Sequence, residues 1–525
     1  MTRRVGGLIA LGLLAGACGS DKSILVAGDD EASMTTPVSQ TTIVNDPSRT
    51  PDATETTVEG QAPPTSAPTS APITTPATNA TTTTTPLDTL PTCPVDALNG
   101  ADDVVEVTFW HGLNADNEDS LNLIVDSYNA SQTRVRITAQ NQGGYGETID
   151  KYIQSSQDSR PDMVMFPDYA VQRIIDTDSV IPVGACLQTA AYDTSVFQQS
   201  TLITYNSQGV QWAMPFNVST PVLYYNKALF RAAGLDPERS PQTLQELRDY
   251  SQQIVDSKAA AYGISLDSGT DSGGGWFIEQ WLANGGDLYA DNGNGRLAPA
   301  TRVLFDGPRG VELLTYVQAL IADGLAYNVG ENPGGLDQFF KMADKNEPSA
   351  MTIGTSSGLG IVLNAVNGGL VEGITADDIG IGPFPGPGEI PSALVGGAAL
   401  YVVAEHGDQK AAAAWDFITY LVSPEVQSQW TAATGFVPVR PDALEVEPAA
   451  TVYRDDPRFR VAYDQLVNSP NDPAQLGPIF GPRVEVRAVT ARAVADIFAG
   501  ADVQASLTAA AQQANALIAD YNARN

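Results

Sequence analysis

The chain has 525 residues, with 61 acidic against 28 basic side chains and a formal net charge of −33. Nucleic acid and anionic membranes are bound through basic faces, so this charge argues against both as partners. With two histidines and three cysteines, and no His beside a Cys in ligand spacing, the composition also argues against a zinc site.

Arg3 and Arg4 open the chain, and residues 5–17 are apolar and rich in Leu, Gly and Ala. That run is short for a bilayer span and reads as an export signal, residues 1–17. It ends in Leu14-Ala15-Gly16-Ala17-Cys18-Gly19-Ser20, which resembles a bacterial lipobox, although Ala15 stands where the usual pattern has Leu. The resemblance implies a lipid on Cys18, anchoring the protein to the outer face of the cell membrane. Residues 61–92 are mostly Thr, Pro, Ala and Ser, with no Lys or Arg and one acid, Asp88. Such a segment buries too little apolar surface to offset the entropy of ordering, so residues 18–92 read as an extended tether. Cys93 and Cys186 remain, and an even pair in an exported chain is expected to be oxidised.

Residues 93–525 are too many for one core and predict two lobes. Residues 104–110 alternate and are β-branched, a strand. Residues 118–130 place Leu121, Ile124, Val125 and Tyr128 on one helical face. A strand over 134–139, a helix over 147–156 and a buried strand over 162–166 complete an α/β pattern with a mainly parallel sheet. Residues 214–227 run from an apolar approach through a polar turn, Asn217 to Thr220, into a β-rich run. A short helix ending at Gly234 follows. Ser240-Pro241 is expected to cap and open a further helix carrying Leu244 and Leu247. Helices are expected at 310–321, 409–421, 424–434, 484–498 and 502–522, and strands at 349–353 and 394–403.

The stretch Pro215-Phe216-Asn217-Val218-Ser219-Thr220-Pro221 closely resembles the hinge of bacterial extracellular solute-binding proteins. The likeness is greatest to the glycerol-3-phosphate-binding branch of the maltose-binding-like family. Phe109-Trp110-His111, Ala350-Met351-Thr352, Gly396-Gly397-Ala398-Ala399-Leu400 and Thr434-Gly435-Phe436-Val437-Pro438 keep the family's order. The resemblance implies an α/β, two-lobed periplasmic-binding-protein fold of type II, with discontinuous lobes and a ligand cleft between them. Lobe I is expected at 93–217 and 350–403, with 349–353 returning to it, and lobe II at 218–349 and 404–525. It also implies a monomeric, cofactor-free binding protein that closes on a solute and delivers it to the permease subunits of an ABC importer. A bridge between Cys93 and Cys186 would staple the end of the tether to lobe I.

Carried over residue by residue, the resemblance makes Tyr145 a contact to a glycerol unit and Asp168 a hydroxyl acceptor. Ser219 becomes a phosphate contact, with Thr355 or Ser356 the second hydroxyl and Gly397 a backbone donor. Arg487 is the expected phosphate clamp, because a planar guanidinium bonds two oxygens at once; its structural alternative is an ion pair with an acid such as Glu485 on its own helix. Two positions depart from the branch: Phe436 replaces a Tyr, and Leu244 replaces a Trp. Together they imply a roomier pocket and a glycerophosphodiester in preference to glycerol-3-phosphate. A neutral mono- or oligosaccharide on the same fold is the second reading, and a secreted glycosidase working through two carboxylates is a remote third. Trp212, Trp276 and Trp281 are read as core rather than as stacking platforms.

Overall fold

The computed structural model describes residues 91–525 apart from 114, 271–273, 333–334 and 389–391. The signal, Cys18 and most of the tether lie outside the described residues. In chain order the first lobe runs β1 (Val105–His111), α1 (Ala115–Ser131), β2 (Val135–Asn141), α2 (Tyr145–Gln154), β3 (Met163–Pro167), β4 (Val180–Ile181) and β5 (Met214–Ser219). The second begins at β6 (Pro221–Asn226), followed by α3 (Lys227–Ala232), α4 (Leu244–Asp256), β7 (Tyr262–Asp267), α5 (Gly274–Asn284), α6 (Pro308–Ala322), β8 (Ala326–Gly330), β9 (Ser349–Thr355) and β10 (Ile379–Pro383). Then come β11 (Gly396–Val403), α7 (Asp408–Leu421), α8 (Pro424–Thr434), α9 (Arg458–Asn468), α10 (Arg483–Phe498) and α11 (Val503–Asn522).

The first sheet has the order β2-β1-β3-β11-β4, with β5 also paired to β11. Strands β1, β2 and β3 are parallel, and β11 returns antiparallel to β3. Strand β1 buries alternate residues, whereas β3 is buried along its whole length, as a central strand covered on both faces must be. Leu121, Ile124, Val125 and Tyr128 of α1 join the core below the sheet. Cys93 and Cys186 form a disulfide, their Cα atoms 4.8 Å apart, at the base of this lobe.

The second sheet has the order β8-β7-β9-β6-β10. Strand β9 therefore does not return to lobe I: it pairs with β6 antiparallel and with β7 parallel. Its run Ser349 to Gly354 is buried throughout, which suits the centre of either sheet, so composition alone does not assign it. Residues 404–525 divide as well. Helices α7 and α8 pack on β1, β11 and α1 of the first lobe, while α9 packs on β10 and β6. Helices α10 and α11 close the second lobe against α5 and α6. The chain thus crosses between the sheets three times: at Thr220, between β10 and β11, and again ahead of α9. The expected lobe boundaries are corrected accordingly for 350–383 and for 408–434.

Helix α4 starts later than Ser240 implies. Thr243 is its N-cap, its Oγ1 accepting from the Glu246 N–H at 3.1 Å. Gly382 passes so close to Ser240 that an added Cβ would lie 2.0 Å from its Oγ, which places Ser240 against strand β10 instead.

Candidate functional site between the lobes

The parallel strands of the first sheet point their C-terminal ends at the second lobe, the edge at which open α/β sheets assemble sites. Gly112, just past β1, lies against Gly144: a Cβ there would sit 2.7 Å from the Gly144 carbonyl carbon. This sets the start of α2, where Glu147 Oε2 accepts from the Gly144 N–H at 2.7 Å. Tyr145 follows, and its hydroxyl accepts from Asn217 Nδ2 at 2.6 Å. Asn217 is fully buried on β5 and its Oδ1 has no hydrogen-bond partner among the described residues. On the neighbouring strand β11, Gly397 pairs with Val218 and has φ +100°, and any Cβ would lie 1.9 Å from the Asn217 carbonyl oxygen, so only glycine fits.

Ser219 is buried opposite Gly396 at the end of β5. Next along the chain, Thr220 is clasped from the second sheet. Its N–H donates to Ser356 Oγ at 3.2 Å, and its carbonyl accepts from the Ser356 N–H at 2.9 Å. Gln465 of α9 adds bonds to Thr220 Oγ1 at 3.1 Å and to the Pro221 carbonyl at 2.8 Å. Ser356 therefore fastens the crossing, while Thr355 is half-buried and shares its Oγ1 with Ser357 at 3.1 Å.

Phe436 lies stacked on Trp430, with ring centres 5.7 Å apart and planes at 11°, and Trp430 stacks in turn on Phe216. Its ring belongs to the lobe I core. Leu244 opens α4 and packs in the lobe II core, where its N–H donates to the Gly386 carbonyl and its carbonyl accepts from the Tyr316 hydroxyl. None of these contacts joins Leu244 to the residues around Asn217. Trp276 and Trp281 are buried in the same core, and Trp281 donates to the Pro385 carbonyl at 3.0 Å.

Asp168 lies in the turn after β3 and reaches a four-membered charge cluster. Arg483 Nη1 stands 3.0 Å from Asp168 Oδ2, and its Nη2 donates to Glu279 Oε2 at 2.6 Å. Arg487 binds Glu279 through both ends of its fork, Nε to Oε1 at 2.9 Å and Nη2 to Oε2 at 2.7 Å. The expected intrahelical partner, Glu485, instead pairs with Arg173 of the first lobe. The Arg487 guanidinium also lies 5.0 Å over the Tyr169 ring. All four side chains are 9% exposed or less. Burial raises the Asp168 carboxyl, and Arg483 and Arg487 offset that only in part. Burial acts on Glu279 the same way, but two guanidiniums outweigh it and hold the carboxyl at about 2.

Around this cluster stand buried polar atoms without partners among the described residues: Arg483 Nε and the hydroxyls of Tyr205 and Tyr401. Burial raises both tyrosine hydroxyls and the Asp168 charge adds to it; Tyr205 also feels Tyr145 and Arg483, so these groups share one neighbourhood with Asn217. The structure thus brings Tyr145, Asp168 and Arg487 to one side of the interlobe junction and Ser219, Ser356 and Gly397 to the crossing itself, and it builds Phe436 and Leu244 into two separate cores. Sequence reasoning missed Glu279, Arg483, Asn217, Tyr205 and Tyr401. Two signals were available: a lone acid inside the apolar run Trp276 to Trp281, and arginines at 483 and 487 on one helical face. A depression of 540 Å³ on the second lobe, lined by Asp287, Arg309 and Glu312 among others, includes none of the charge cluster.

A family described as "Bacterial extracellular solute-binding protein" matches residues 124–460, more than half of the chain. The chain belongs to this family. The sn-glycerol-3-phosphate-binding periplasmic protein UgpB of Pectobacterium atrosepticum is 26% identical over 448 residues, covering 83% of this chain and 96% of the relative. UgpB of Yersinia pseudotuberculosis is 26% identical over 429 residues, covering 80% and 94%. Among solved structures, a cyclic alpha-maltosyl-1,6-maltose binding protein from Arthrobacter globiformis is 26% identical with a TM-score of 0.62, covering 79% of this chain and 99% of that one. UgpB from Mycobacterium tuberculosis, solved in complex with glycerophosphocholine, is 22% identical with a TM-score of 0.63, covering 79% and 98%, a likeness of fold. The family match ends before Arg483 and Arg487 but takes in Asp168 and Glu279. Members of the family bind solutes outside the cytoplasm, and the two-lobed architecture is the one found here.

Proposed function

We propose that the chain captures a glycerol phosphate-type solute, with preference for a glycerophosphodiester, and delivers it to the permease of an ABC importer. The observation that carries the reading is the group of buried polar atoms around the ion cluster without partners among the described residues: Asn217 Oδ1, Arg483 Nε and the Tyr205 and Tyr401 hydroxyls. Buried polar groups are costly unless paired, and a solute rich in hydroxyl and phosphate oxygens supplies both donors and acceptors. Likeness to glycerol-3-phosphate-binding relatives along nearly their whole length supports the phosphate half. No covalent chemistry is required; binding shifts the lobes toward their closed arrangement.

A neutral saccharide is the second reading, favoured by the engagement of Arg483 and Arg487 with carboxylates of the protein itself. We also assign a lipid to Cys18, so that the monomeric receptor works tethered to the outer face of the cell membrane. Mass spectrometry of the native N-terminus is the check, and a mature chain beginning beyond Cys18 would remove the anchor.

Thermal unfolding with glycerol-3-phosphate, glycerophosphocholine and maltose in turn tests the ligand. A solute at 100 times its dissociation constant adds about 2.7 kcal/mol of stability, and glycerophosphocholine is expected to give the largest rise. A rise with maltose alone would replace the phosphate reading by the saccharide one.

A further inference from the structure

We propose that Glu279 sets the charge specificity of the interlobe site. By engaging Arg483 and Arg487 together it cancels one of the positive charges they bring, turning the site away from a dianionic phosphate monoester and toward a singly charged solute. The inference rests on the reading of this junction as the place where solute binds. Its ground is the bonding of Glu279. Oε1 accepts from Arg487, and Oε2 accepts from both Arg487 and Arg483, so both oxygens are committed to guanidiniums. Glu279 thus acts through the arginines and is a specificity-determining residue without being a solute contact.

The charge count follows. Asp168 and Glu279 carry two negative charges, and Arg483 and Arg487 carry two positive ones, all shielded from solvent; the neighbouring Arg296, buried and bonded to backbone carbonyls, adds a third positive charge that Asp168 and Arg483 both feel. A dianion added beside this set leaves one negative charge uncompensated in a low-dielectric place, where unpaired charge is most costly. A diester leaves none, and Arg483 Nε–H, without a partner among the described residues, is available to it. Without the Glu279 charge the set has two surplus positive charges and matches the dianionic monoester better. The carboxyl stays ionised at any pH near neutrality. Nor does stability explain the residue. Glu279 interrupts the apolar stretch Trp276, Phe277, Ile278 and Trp281, and buried ion sets are often no more stable than apolar residues of equal volume.

The test is calorimetric titration at pH 8, where a phosphate monoester carries nearly two charges because its second pKa is about 6. The probes are glycerol-3-phosphate, its methyl ester and maltose, on wild type and on Glu279→Gln. Wild type is expected to bind the ester about tenfold or more tighter than the monoester, and Glu279→Gln to shrink or reverse that ratio by a similar factor. An unchanged ratio in a Glu279→Gln protein with native circular dichroism overturns the proposal, as does a wild type that prefers the monoester. Should Glu279→Gln not fold, Arg487→Gln serves instead: it removes one positive charge from the set, so the ratio widens, and a ratio that stays constant overturns the proposal. If wild type binds maltose and neither phosphate, the glycerol phosphate reading fails. Charge control by Glu279 then stands only if Glu279→Gln acquires monoester binding, and falls if it does not.

Discussion

At Thr220 the two lobes meet through neutral groups, whereas at Asp168 they meet through ions. The Thr220 crossing is held by backbone and amide bonds from Ser356 and Gln465, close to a continuous chain segment. The Asp168 junction joins residues from distant parts of the sequence, Glu279 on α5 and Arg483 and Arg487 on α10. Parting the lobes would leave the first contact largely in place, because the chain itself passes through it. The same motion would return the ions to water, recovering much of the hydration they lost on burial. The neutral junction is thus suited to be a pivot, and the ionic one to be the face that opens.

Breaking the ionic side gives the largest expected effect. Glu279→Ala leaves two buried guanidiniums without their shared acceptor and is expected to lower stability by about 3–5 kcal/mol, read from urea unfolding. A loss below 1 kcal/mol would mean that the cluster relaxes into solvent and is no true counterpart to the crossing. Acid sharpens the same comparison. The Glu279 carboxyl is lowered from 4.5 to about 2 in the folded protein. Its contribution is therefore present above about pH 4.5 and is lost as pH falls through 2, worth about 3 kcal/mol at one pKa unit per 1.36 kcal/mol. Asp168 works in the opposite sense, since burial raises it. The measurement is accordingly the difference between wild type and Glu279→Gln, unfolded in urea at pH 5 and again as near pH 2 as both remain folded. The wild type should lose the more. On the neutral side, Ser356→Ala removes the acceptor of the Thr220 N–H and is expected to cost about 1–2 kcal/mol, with no change in its pH dependence. Equal acid sensitivity of the two variants would erase the distinction between the junctions.

Much of the fold was legible because period and punctuation agree along the chain. The strand at 104–110, the helix at 118–130 and the turn at Asn217 to Thr220 appear within a residue or a few of their expected places. Sheet membership was not legible. Residues 349–353 read as a strand, but a wholly buried strand looks the same in either sheet, and partnership with β6 and β7 is a long-range fact. The site divided in the same way. Asp168 and Tyr145 follow strands, so local order places them at the sheet's C-terminal edge. Glu279 and Arg483 meet only in three dimensions, and nothing in their spacing announces the pair. Leu244 and Phe436 were singled out as substitutions, yet their surroundings are apolar packing.

The bridge from Cys93 to Cys186 has a mechanical consequence. Cys93 lies ahead of β1, and Cys186 is buried in the helix Val183–Thr189. A pull on the chain from its N-terminal side reaches Cys186 through a covalent bond before it can load β1. The segment between Cys93 and β1, with Leu98 packed in the core, lies beyond that bond and is shielded from the load, so β1 is not peeled from β2 and β3. The disulfide acts as a cable clamp, passing tension into the body of the lobe and leaving the C-terminal edge of its sheet at rest.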